Sequence, residues 1–270
     1  MKLSPRGQNV QKMVRLTSVM AWVGSAIVMR LRLLFIAWAI FIAGTGSAQT
    51  WESYIKHFPR KRSTIVRDYQ GNILKTHSLG VLNVRVTPVQ QCADAAIRLR
   101  AEYFYGRKEY GKIRFRLTCG LEVPFTKWAA GYRVKVVGND AMLVAPRKRT
   151  KDYSRSNFER YLHTVMYYAG SASLYRDMQS VRGLPQIGDV LILPGYPGHV
   201  VIVIDKKVAN NTHYYLFANS WIPAQDIEII SGTNPAKKNL GNYTPIRSAK
   251  DKVIINGYTF IVGKHLRRWR

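Results

Sequence analysis

The sequence predicts an α+β fold in which a cysteine-bearing helix packs on an antiparallel sheet. Three observations carry that prediction. Cys92 to Tyr105 is rich in Ala, Leu, Arg and Glu, with Ala95, Leu99 and Glu102/Tyr103 at helical spacing. Between residues 189 and 218 lie three short runs of β-branched and aromatic residues, bounded by turn residues. The helix comes first and the sheet last, with no internal repeat or low-complexity linker between them. The 270 residues are 47% hydrophobic and 21% charged, which is the composition of a globular protein and excludes a fibrous one. Two cysteines, Cys92 and Cys119, are too few for a disulfide-dense scaffold or a four-cysteine zinc site.

Residues 1–48 contain no acid, and the first one is Glu52. From Met29 the order is Met-Arg-Leu-Arg, the apolar run Leu33 to Gly44, then Gly46-Ser47-Ala48. This is the layout of a signal peptide starting at Met29 and cleaved after Ala48, with residues 1–28 an upstream segment. The run Leu33–Gly44 is too short to span about 30 Å of hydrocarbon. The expected protein is exported, periplasmic or envelope-associated, with no transmembrane span after signal removal. Cleavage would remove six basic residues and no acidic one, so the formal charge of +27 falls to +21. For an exported protein that excess points to anionic cell-envelope polymer or a peptide substrate as partner; nucleic acid is not expected.

Residues 49–85 alternate weakly and read as an N-terminal arm, followed by an α+β domain over 86–270. Gly106 stops the helix that opens at Cys92. Arg98 and Glu102 stand one turn apart and read as a surface ion pair, whereas Arg100 has no evident partner. Ile113–Leu117 and Tyr132–Val137 read as strands, and Ser156–Ala169 as a second helix capped by Ser156 or Asn157. Asp189–Leu193, Val200–Asp205 and His213–Ala218 are the sheet-forming runs, with Lys206–Thr212 as the loop between the last two and Ile222–Ile230 a further strand.

The chain has no G-x-S-x-G elbow, P-loop, H-E-x-x-H or C-x-x-C. No metal and no cofactor is expected. What remains is a cysteine, a histidine and an amide. Cys92 opens a helix, where unpaired N–H groups and the helix dipole favour a thiolate. If Asp205 opposes His213 in a hairpin, His199 faces Asn219 on the same side of the sheet. Asn219 can then orient the His199 imidazole toward a thiol, the logic of a Cys-His-Asn site. The competing readings are a buried structural thiol, or a Cys92–Cys119 disulfide, with Cys119 otherwise incidental.

Gln91-Cys92-Ala93-Asp94, Gly198-His199-Val-Val-Ile-Val and Asn219-Ser220-Trp221 resemble the papain-like cysteine peptidases, in which a Trp two residues beyond the catalytic Asn shields the Asn–His bond. The Gly188-Asp189-Val…Gly198-His199 layout is similar to their NlpC/P60 branch. The resemblance implies a papain-like, NlpC/P60-type core with an insertion around 120–180, and catalysis by Cys92, His199 and Asn219. Gln91, Asp94, Asp189 and Trp221 are substrate or oxyanion candidates; plainer roles are a helix cap for Asp94, a turn for Asp189 and the core for Trp221. A second resemblance spans nearly all of 50–270. Cys92-Ala-Asp-Ala-Ala-Ile-Arg-Leu-Arg-Ala-Glu-Tyr103, Gly195-Tyr-Pro-Gly-His199 and Asn219-Ser-Trp-Ile-Pro-Ala-Gln225 resemble the bacterial domain-of-unknown-function 4846 family, which implies an exported bacterial protein and no particular activity. The expected function is hydrolysis of an amide or peptide bond by a thiol, in cell-wall peptidoglycan. The alternatives are a non-catalytic envelope protein that binds anionic wall or lipid polymer, and an acyl or thioester transferase using the same residues.

Overall fold

A computed structural model describes residues 49–270. The signal-peptide, cleavage-site and Met29 expectations fall on residues 1–48, outside the described residues. The fold is α+β, with six helices among the described residues and a sheet whose pairings are antiparallel. The helices are α1 (Trp51–Lys56), α2 (Cys92–Gly106), α3 (Phe125–Ala129), α4 (Arg155–Tyr168), α5 (Ser171–Asp177) and α6 (Val262–His265). The main sheet has eight strands: β1 (Gly80–Val81), β2 (Gln179–Ser180), β3 (Val190–Leu193), β4 (His199–Ala209), β5 (Thr212–Asn219), β6 (Glu228–Ile230), β7 (Thr244–Ile246) and β8 (Leu266–Arg268). Their spatial order is β1-β6-β5-β4-β3-β8-β2, with β7 also paired to β5. Among the described residues no helix is long and apolar enough to cross a membrane.

Two layers cover the sheet. Val200, Ile202 and Ile204 of β4, with Leu216 and Ala218 of β5, join a core that includes Ala95, Ile97 and Leu99 of α2. Val201, Val203, Tyr215 and Phe217 point the other way, into a second core closed by Val253, Ile255 and Phe260 of the hairpin Lys252–Ile255/Tyr258–Ile261. Ile97 and Leu99 are fully buried, and burial of a side chain of that size contributes about 1.5–3 kcal/mol. The N-terminal arm shares in the structure, since Ile55 and Phe58 are core residues and β1 extends the sheet beside β6.

The β4–β5 hairpin is longer and tighter than the sequence suggests. Its turn is Asn210-Asn211, both with positive φ (48° and 55°), between the paired residues Ala209 and Thr212. Two such residues make the turn whose twist suits a two-residue hairpin. Lys206 and Lys207, expected in the loop, pair with Tyr215 and Tyr214 instead. A bulge between Val203 and Asp205 shifts the register, so Asp205 opposes Leu216 and not His213.

Other elements end near their expected limits. The strand expected at Ile113–Leu117 is Arg114–Arg116, paired to Glu122–Pro124, and that expected at Tyr132–Val137 is Arg133–Val137, paired to Asp140–Val144. Helix α4 is capped by the Ser154 hydroxyl, which accepts from the Asn157 N–H. The Asn157 side chain is no cap and braces the interior, where its Oδ1 accepts from Trp128 Nε1 at 3.0 Å. Of the expected Ile222–Ile230 strand, Glu228–Ile230 is a strand and Gln225 makes a single bridge to Asp68, while the rest of 220–227 is irregular.

Arg98 overturns the expected surface pair. It has no exposed area, and its Nη1 donates to Glu102 Oε1 (3.1 Å) and Glu159 Oε2 (2.8 Å). Arg155 closes the cluster from α4 with both amines on Glu102 at 2.6 Å. The (i, i+4) spacing holds, but packing of α4 on α2 turns a solvent-facing pair into an inter-helix one.

Candidate functional site

The site is built where β4 begins and β5 ends. His199 opens β4 and Asn219 closes β5. Extending the register Ile202↔Ala218 and Val203↔Phe217 puts Val201 opposite Asn219 and His199 opposite Trp221. The expected facing of His199 and Asn219 is therefore displaced by two residues. Side chains alternate with period two, so this displacement keeps both on one face as diagonal neighbours. The structure brings them together, with Asn219 Nδ2 3.1 Å from His199 Nε2, both residues buried.

Aromatic rings enclose the imidazole. Tyr258 stacks on it at 4.7 Å between ring centres, and Trp221 meets it edge-on at 4.6 Å. Burial lowers the His199 pKa from 6.5 to about 4, so the ring is neutral at physiological pH. As placed, the amide donates to Nε2, and the proton of the neutral ring is on Nδ1. The amide carbonyl Oδ1 is buried without a partner. Turning the amide about its last torsion would let Oδ1 accept from Nε2–H and leave Nδ1 as the basic nitrogen.

Cys92 lies on the helical side. It packs against the core that holds Val200. No hydrogen bond joins its thiol to the His199 ring among the described residues. The alternation along β4 explains this, because His199 points with Val201 toward Tyr258 while Val200 points toward α2. Burial raises the Cys92 pKa, the negative charge of Asp94 adds to that, and the Val200 N–H partly offsets it. The expected helix-terminus activation is thus outweighed in this state. Both cysteines are free thiols, Cys92 half-buried and Cys119 exposed.

The remaining candidates occupy distinct places. Gln91 is the N-cap of α2, and its N–H donates to Asp94 Oδ2 at 2.9 Å. Asp94 is buried, which drives its pKa well up. Asp189 is held by Arg268 through two bonds of 2.6 and 2.7 Å and accepts from the Gln186 N–H, so it braces β3 against β8. Trp221 covers the imidazole. Among the described residues no group of three or more His, Cys, Asp or Glu could hold a metal ion.

Sequence reasoning missed three contributors. Ser220 lies between Asn219 and Trp221 and points to the other face, where its hydroxyl is 3.1 Å from the carbonyl of Gln90 and 2.7 Å from that of Gln225. One tripeptide thereby holds His199 from one face and the chain just before Cys92 from the other. Tyr258 belongs to a hairpin whose turn, Asn256-Gly257 between alternating apolar residues, is a strong sequence signal. Glu228 pairs with Asn219 across β5–β6 and accepts from Gln225 Nε2 at 3.2 Å; burial raises its pKa. With Trp221, Gln225 and His77 it lines a groove of about 460 Å³ beside the His199–Asn219 pair. No local pattern marks a lone Glu in a buried strand as a groove residue.

No curated protein and no solved structure matches this chain. A family model described as domain of unknown function (4846) matches residues 43–268, and the chain belongs to that family.

Proposed function

We propose that the protein is an exported thiol hydrolase that cleaves an amide or peptide bond in the cell envelope, with wall peptide as its substrate class. The observation that carries this reading is the Asn219-Ser220-Trp221 strand end. Asn219 bonds the His199 imidazole, Trp221 shields it, and Ser220 holds the segment that leads into Cys92. The fold reading that goes with it is a papain-like, NlpC/P60-type core, supported by a helix with Cys92 at its start lying on the strand that carries His199. In the reaction His199 takes the Cys92 proton and the thiolate attacks the carbonyl carbon. The resulting tetrahedral adduct expels the amine, which receives the proton from His199, and leaves an acyl-enzyme. Water, deprotonated by His199, then cleaves the thioester, and the thiol is restored. The neutral thiol and neutral imidazole are the resting pair. Attack requires the imidazole to turn from its stack on Tyr258 toward the helical side, so substrate entry in the groove beside Trp221 is the event that couples to it.

The separation of Cys92 and His199 on the two faces of β4 favours a second reading, a non-catalytic envelope protein that uses its basic surface for anionic polymer. One experiment separates them. Purified protein is incubated with isolated wall and with synthetic stem peptides, and products are read by mass spectrometry. Cys92→Ser should reduce turnover by about a thousandfold or more, as loss of a nucleophile does. Turnover equal in the two proteins, or none on any peptide tried, would overturn the hydrolase reading.

A further inference from the structure

A cavity of about 520 Å³ lies at the far end of α2 from Cys92, walled by Arg100, Phe104, Arg114, Phe115, Trp269 and Arg270 among others. Its two acidic residues, Glu122 and Asp177, are both taken by Arg116, at 3.4 and 2.8 Å. Lys112, also on its wall, is paired with Glu109 at 2.7 Å. Arg100, Arg114 and Arg270 are left without a side-chain carboxylate among the described residues. Among the described residues the one hydrogen-bond partner of Arg100 is the main-chain oxygen of Arg270, at 3.2 Å.

Arg100 is held in place by rings as well as by the Arg270 oxygen. Its guanidinium lies 4.5 Å from the Phe104 ring centre, 4.9 Å from Trp51 and 5.7 Å from Trp269. Stacking of this kind fixes a planar cation and leaves the N–H groups not used by Arg270 free for an anion. Burial lowers its pKa to about 10, so it stays charged at neutral pH. Trp269 meets Phe115 edge-on at 5.9 Å, and its indole N–H is buried with no acceptor.

We propose that this cavity is a binding site for a phosphoryl group, gripped by Arg100 and Arg114 with Trp269 as the apolar wall. A phosphoryl group is preferred over a lone carboxylate because three guanidinium groups with no side-chain carboxylate partner can be matched by a multiply charged anion with several acceptor oxygens. The site is separate from the His199–Asn219 pair and stands or falls apart from the hydrolase reading. A phosphoryl group can arrive on a soluble ligand or on a lipid headgroup.

The test uses tripolyphosphate, followed by titration calorimetry, and vesicles containing phosphatidylglycerol, followed by sedimentation. The Arg100→Gln/Arg114→Gln variant is compared with Arg147→Gln/Lys148→Gln, which removes the same charge from an exposed loop away from the cavity. At about 0.1 M salt, where screening acts over about 10 Å, the cleft variant should lose about tenfold or more in affinity, and the loop variant about twofold or less. Arg114 is exposed, so Arg114→Gln alone serves if the double variant does not fold, with a loss of about threefold or more. Vesicle binding without tripolyphosphate binding, still lost in the cleft variant, would assign the phosphoryl group to lipid and keep the site. Equal losses in the cleft and loop variants, or no binding of either probe, would overturn the proposal.

Discussion

Replacing His199 with Gln should make the protein resist acid better than the parent. The native imidazole is buried beneath Trp221 and Tyr258, and its pKa falls from 6.5 to about 4. Below pH 6.5 the unfolded chain takes up a proton at this residue that the folded chain refuses. Stability from the buried neutral ring is therefore present above pH 6.5 and is lost as pH falls toward 4. A difference of about 2.5 pKa units corresponds to roughly 3 kcal/mol when fully expressed, and about 2.4 kcal/mol of it is lost between pH 7 and pH 4.5. Glutamine keeps a neutral hydrogen-bonding group opposite Asn219 but has no proton to gain. Asp94 and Glu228 work in the opposite direction, since their raised pKa values favour the folded state as pH falls, and His265 works in the same direction as His199. All three are unchanged by the substitution, so they cancel in the comparison. Urea unfolding of both proteins at pH 7 and pH 4.5 gives the double difference. A value near 2 kcal/mol is expected, and equal acid sensitivity of the two proteins would refute the assignment of a buried neutral histidine.

Alkylation should distinguish the two thiols: exposed Cys119 reacts fast at neutral pH, while Cys92, raised above its ordinary 9.0 by burial, reacts slowly and keeps accelerating as pH climbs past that value. Ser220→Ala should speed Cys92 labelling by releasing the Gln90 segment; peptide mapping by mass spectrometry reads both sites, and identical rates would contradict the geometry. Arg98→Ala leaves Glu102 and Glu159 with Arg155 alone and should cost about 3 kcal/mol in urea unfolding, whereas a surface pair would cost less than about 1 kcal/mol. Gly188→Ala should lower Tm, because Gly188 has φ +88° and an added Cβ would lie 2.3 Å from Trp51 Nε1; the left-handed backbone alone costs about 1 kcal/mol or more.

The fold class and the helix of Cys92 are legible because each rests on a long local signal. Ala95 and Leu99 sit at helical spacing, and 189–218 alternates between apolar strands and turn residues. The helix of Cys92 ends at Gly106, one residue past the expected Tyr105, with Lys108 and not the glycine taking the left-handed conformation, and limits are poorly legible where the choice lies in the partner strand. Lys206 and Lys207 look like loop residues, yet they continue β4 because Tyr214 and Tyr215 of β5 give them a ladder to join. Arg98 looks solvent-facing because its neighbour at (i, i+4) is an acid. The acid that buries it, Glu159, is contributed by a helix 61 residues away.

The site divides along the same line. A hairpin register wrong by two residues still leaves His199 and Asn219 on one face, which is why their contact could be reached from spacing alone; an error of one would have set them on opposite faces. Which face α2 covers could not be reached in that way. An amphipathic strand announces its buried side by alternating polar and apolar residues, but Val200, Val201, Ile202 and Val203 are all apolar because β4 is covered on both sides. Nothing in that run says whether a helix docks with Val200 or with Val201. The answer lies in the hairpin at 252–261, which claims His199, Val201 and Val203 and leaves the other face to α2 and Cys92. The relation between Cys92 and His199 is thus set by a segment about 50 residues beyond His199. Loosening that hairpin, and not altering Cys92, His199 or Asn219 themselves, is the change that would let the imidazole cross to the thiol.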